Sequence, residues 1–130
     1  MKIIIKHLLI FFTVIYFIVF TNEPSVKAVG NVDWLLLKEN TDGKQWIDLG
    51  SFKRFKNNEV SVLTKYYSNP SDNESKGTTS LYTMRIDCDT NNYKDTSVNG
   101  IPKFKAKWES SNNDELIDIV IEKACNKNNP

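Results

Sequence analysis

Two cysteines behind an apolar N-terminal segment constrain this chain more than any other feature. Cys88 and Cys125 are the whole cysteine complement. An even count in a small exported domain reads as a disulfide. Lys2 and Lys6 supply a positive start, and residues 8–20 are apolar apart from Thr13. That run suits a secretory signal and falls short of the roughly 20 residues a membrane-spanning helix needs. Val26-Lys27-Ala28 then places small or modest side chains before the cut. We expect residues 1–28 to be a signal peptide cleaved after Ala28, leaving no stable membrane span. The alternative is an uncleaved anchor that also recruits Ile3 to Ile5. The expected domain covers residues 29–126, with a tail at 127–130.

Residues 1–28 hold Lys2, Lys6, Lys27 and Glu23, so 14 basic and 15 acidic side chains remain and the mature net charge is −1. A near-neutral domain has no electrostatic footprint for nucleic acid or an anionic membrane. The 102 remaining residues suffice for one small domain. Closing the 88–125 loop should stabilise it by about 4 kcal/mol in the chain-entropy model.

The patterning predicts an α+β fold: a small antiparallel sheet of about six strands, with one C-terminal helix packed on it and fastened by the disulfide. Trp34-Leu35-Leu36-Leu37 reads as a first strand, and Asp42-Gly43 as the hairpin turn before Gln45-Trp46-Ile47-Asp48. Asn57-Asn58 is a second turn, followed by an alternating strand at 59–67. Residues 68–79, with Pro70 and Gly77, read as a loop. In the next strand Tyr82, Met84, Ile86 and Cys88 share one face, which turns the Cys88 thiol inward. A strand over 93–98 follows, and Asn99-Gly100 turns again. Phe104, Ala106 and Trp108 alternating with Lys103, Lys105 and Lys107 predict the sixth strand. Asn112 or Asn113 is expected to cap the terminal helix. Leu116, Ile117, Val120, Ile121, Ala124 and Cys125 form its apolar stripe, so Cys125 also faces inward.

Catalytic chemistry is sparse. The single histidine, His7, lies in the signal, so the mature domain has no imidazole for a catalytic triad or a histidine metal site. No glycine-rich phosphate loop is present, and no cofactor or metal site is predicted. Asp87 and Asp89 flank Cys88 as a local acidic pair, too few ligands for a hard cation. Lys103, Lys105 and Lys107 form a basic stripe that suits an anionic ligand; the more ordinary reading is the solvent face of an edge strand. Trp34, Trp46 and Trp108 suit stacking on sugars, but in core-forming strands the ordinary reading is packing.

The ordered features resemble the bacterial surface-adhesin protein E family. The matching residues are Trp34, the Asp42-Gly43 turn, Trp46-Ile47-Asp48, Ser51 with Lys53-Arg54, the 60–67 strand, Asp87-Cys88, Trp108-Glu109 and the terminal Ala124-Cys125. The resemblance covers nearly all of residues 32–126. It implies a disulfide-fastened sheet-and-helix domain, a cell-envelope location and, for the namesake, adhesion to host proteins. The lipid-anchor cysteine of the namesake type is absent here. The expected function is thus an exported non-enzymatic binding module of the envelope, an adhesin, with a protein or glycan partner and no nucleic acid. The alternatives are a periplasmic structural or accessory protein, and a carboxylate-dependent hydrolase using Asp48, Asp87 and Asp89.

Overall fold

Alternation of apolar and polar side chains builds the whole architecture. A computed structural model describes residues 31–72 and 75–128; the expected signal segment and its expected cleavage site lie outside the described residues. Strands β1 (Trp34–Glu39), β2 (Gly43–Asp48), β3 (Lys53–Arg54), β4 (Glu59–Ser68), β5 (Thr78–Asp87), β6 (Asn92–Val98) and β7 (Ile101–Pro102) form one antiparallel sheet. Its order is β1-β2-β4-β5-β6-β7, with β3 sharing the β2 edge of β4. Helix α1 (Glu115–Cys125) crosses one face against β1, β2, β4 and β5. The predicted α+β fold is the one formed.

Strands β2 and β3 are two halves of one strand interrupted by a 3-10 turn at Leu49–Ser51. Asp48 builds that turn: one carboxylate oxygen accepts from the N–H groups of Gly50 and Asp33. The Ser51 hydroxyl accepts from the Leu63 N–H at 2.8 Å, replacing the ladder bond lost at the break.

The core lies between helix and sheet. Ile47, Val60, Val62, Met84 and Ile86 meet Val120, Ile121 and Ala124, with Tyr82, Cys88, Ile117 and Cys125 packed at its border. Both cysteines face inward as predicted, and the Cys88–Cys125 bond forms across a Cα separation of 5.5 Å. It joins the end of β5 to the end of the helix. Arg54 reinforces that corner by donating to the Asn126 carbonyl at 2.9 Å.

Three expectations are corrected. The helix cap is Asp114, whose carboxylate accepts from the Leu116 and Ile117 N–H groups; Asn112 and Asn113 instead take left-handed φ values of 51° and 66° in the turn before it. The first hairpin turns at Asn40, whose side chain accepts from the Asp42 and Gly43 N–H groups. Gly43 is already in the strand, where a Cβ would sit 2.0 Å from the Tyr67 carbonyl oxygen.

The third correction concerns the sixth strand. The strand ends at Pro102, and the Lys103 N–H makes the last ladder bond, 2.8 Å to the Thr96 carbonyl. A continuous ladder from Val98↔Ile101 would bring Ala106 opposite Tyr93, but Glu109 stands there. Three residues are therefore extruded, and 103–108 forms an exposed loop tied to the sheet at both ends, by Lys103 on Thr96 and by Glu109 on Tyr93.

Candidate functional site

The sheet face away from the helix has no covering layer among the described residues, and it carries cations over aromatic rings. Trp46 and Lys65 are opposite each other on β2 and β4, beside Trp34 on β1. The Lys65 ammonium stands 4.7 Å from the Trp34 ring centre and 4.4 Å from that of Trp46. Further along the same face, Arg85 lies 3.9 Å over Phe55 and also pairs with Glu59. Lys94, opposite Arg85 on β6, is 4.1 Å from the Trp108 ring. Each such contact contributes roughly 0.5–1 kcal/mol at an exposed position. Leu36 and Leu81 are exposed on this face too. The tryptophans expected in the core are therefore surface residues; the inward positions of β2 go to Gly43, Gln45 and Ile47.

The 103–108 loop adjoins this face through Trp108. Lys103, Lys105 and Lys107 are exposed, but they sit on a loop, so strand alternation does not align them as one stripe. Between them Phe104 is 94 % exposed. The sequence alternation mimicked a strand, but Phe104 packs on nothing and Trp108 lies against Lys94 on the open face.

A cavity of about 280 Å³ opens at the other side of the sheet, beyond the N-terminus of α1. Tyr66, Tyr82 and Tyr93 wall it, Gln45 and Thr64 line its floor, and Asp42, Asp95 and Asp114 supply carboxylates. Thr64 is fully buried, and its hydroxyl has no hydrogen-bond partner among the described residues. Burial pushes the Asp95 carboxyl above its ordinary range; Glu109 adds to the shift and Lys103 opposes it. The Tyr66 and Tyr93 hydroxyls are raised by burial first and by the neighbouring carboxylates second. These residues come from separate elements, and no local sequence signal groups them.

A family model described as the surface adhesin-E family matches residues 35–130. The chain belongs to the surface adhesin-E family. Searches of curated proteins and of solved structures returned no match.

Within this adhesin-E domain, the carboxylates considered for hydrolysis are engaged in building turns. Asp48 is buried and caps the 3-10 turn. Asp87 accepts from the Thr90 hydroxyl and the Asp89 N–H, which holds its carboxyl below the usual range. Asp89 accepts from the Asn58 amide. Asp48 lies at the end of β2, whereas Asp87 and Asp89 lie at the β5–β6 hairpin. Among the described residues, no group of three or more acids, cysteines or histidines is placed to hold a metal ion. No helix among them is long and apolar enough to cross a membrane.

Proposed function

We propose that the protein is an exported, non-enzymatic adhesin that docks an acidic segment of a host protein on its open sheet face and the adjoining 103–108 loop. The observation that carries this reading is the cation–aromatic array of Lys65, Arg85 and Lys94 on a face left open by the fold. Rings fix the cations in place, which lowers the ordering cost of pairing them with carboxylates. Phe104, Leu36 and Leu81 set apolar side chains among those charges. That mixture suits a protein partner, because protein interfaces centre on apolar and aromatic anchors set among charged groups. Membership of a surface-adhesin family supports the same reading.

The test uses beads coated with the exported protein on host-cell monolayers. Trypsin treatment of the cells should abolish attachment, and polysaccharide lyases should leave it. Attachment lost to the lyases alone would identify a glycan partner and overturn the protein reading. On the producing bacterium, added protease should remove the protein from intact cells. Full protection there would favour the periplasmic accessory role. Turnover of any substrate that disappears on changing Asp48, Asp87 or Asp89 would overturn the non-enzyme reading.

A further inference from the structure

We infer that the tyrosine-walled cavity at the helix N-terminus binds an organic ammonium group. Four observations converge on a cation of this kind. Tyr66, Tyr82 and Tyr93 surround the space with aromatic surface, the environment that recognises ammonium ions through ring faces. Every charged side chain in the lining is a carboxylate. Asp114 already accepts from the first helical N–H groups, so the positive end of α1 is satisfied and offers little to an anion. The Asp95 carboxylate, facing inward opposite Met84, makes no hydrogen bond or salt bridge among the described residues.

The hydroxyl of Thr64 points to a ligand independently of the acids. It is fully buried on the cavity floor without a partner, a condition that costs free energy unless something in the cavity bonds to it. An ammonium N–H is a suitable donor for that oxygen. Size narrows the ligand further. The volume of about 280 Å³ sits at the bottom of the roughly 300–1,000 Å³ range of small-molecule sites, which suits an amine a few heavy atoms long. A bare metal ion fits poorly, because the carboxylates are not grouped closely enough to ligate one. The ammonium group can belong to a free small amine or to a lysine side chain of a bound polypeptide.

The test is NMR titration of the exported protein, following the tyrosine ring signals. Three probes are used: ethylamine, a blocked lysine amide, and the blocked norleucine amide, which has the lysine stem without its charge. Ethylamine and the lysine amide should shift the Tyr66, Tyr82 and Tyr93 signals; the norleucine amide should not. Preference for the lysine amide over ethylamine assigns a polypeptide source, and the reverse assigns a free amine. Asp95→Asn should weaken amine binding by at least about tenfold, the effect of losing one close charge partner, with thermal unfolding at neutral pH unchanged or higher. Lys65→Ser on the opposite face should leave amine binding unaltered, which separates this site from the adhesive surface. Equal response to the norleucine amide, no response to either amine, or an Asp95→Asn variant that folds and binds as tightly would each overturn the assignment.

Discussion

At the scale of single residues, two inward-facing polar groups stand out because the fold gives them no partner. The Thr64 hydroxyl is buried and unbonded. Thr64→Val keeps the shape and removes the orphan oxygen, so it should raise stability by about 1 kcal/mol, the lower end of the cost of an unsatisfied buried group. Denaturant titration reads this as a higher midpoint at constant slope; an unchanged or lower midpoint would show that the hydroxyl is satisfied in solution. Asp95 follows a pH-dependent version of the same logic. Its carboxyl is raised by burial, so the ionised form is disfavoured in the folded chain. The penalty is absent below the ordinary carboxylate pKa of about 3.8 and grows until the pH passes the folded value. Asp95→Asn should therefore raise the Tm at pH 7 and lose that advantage as the pH falls to 3; an advantage independent of pH would contradict this assignment. Neither group was legible in the sequence. Threonine and aspartate in alternating strands look like solvent-facing residues, and their exceptional status comes from which face the register assigns them. The same parity misled the reading of Trp46. Hydrophobicity favours burying it, yet burying Ile47 on the same strand sends Trp46 outward.

At the scale of elements, legibility followed periodicity. β5 and α1 announce themselves because each has a single consistent period that ends in an inward cysteine, and the structure joins those two ends. Residues 103–108 also have a clean period of two, but a period cannot report a register slip of three residues against a neighbour. Because the three side chains are exposed, replacing Lys103, Lys105 and Lys107 together by Ser should leave thermal unfolding nearly unchanged. The same triple change should reduce host-cell attachment and its sensitivity to salt, since exposed charges are screened over roughly 8–10 Å at physiological ionic strength. Attachment that stays salt-sensitive to the same degree would remove the loop from the binding surface. The start of β2 is the opposite case. A Cβ on Gly43 meets a backbone carbonyl, which cannot rotate away as a side chain would. Gly43→Ala should cost about 1–3 kcal/mol, in the range of overpacked positions, read as a fall in Tm; a stable variant would mean that β2 and β4 can part locally without loss.

At the scale of the whole molecule, one layer of helix serves one face of the sheet, and the disulfide secures that layer at its far end. Cys125→Ala should lower stability by about 2–5 kcal/mol, the usual range for a small exported domain that loses its bridge. Mass measurement of the exported protein should find Val29 at the N-terminus and two hydrogen atoms fewer than the dithiol form; a retained residue 1–28 segment would contradict the first expectation and alkylatable thiols the second. The position of the bridge has a consequence in time as well as in space. Inside a reducing cytosol the two thiols stay open. The loop that ends in α1 is then open, and the fold lacks the bridge's share of its stability. In a chain exported as proposed, oxidation beyond the cytosol closes the loop and makes unfolding more strongly uphill. The bridge then works as a ratchet, converting a difference in redox potential between two compartments into a direction for folding.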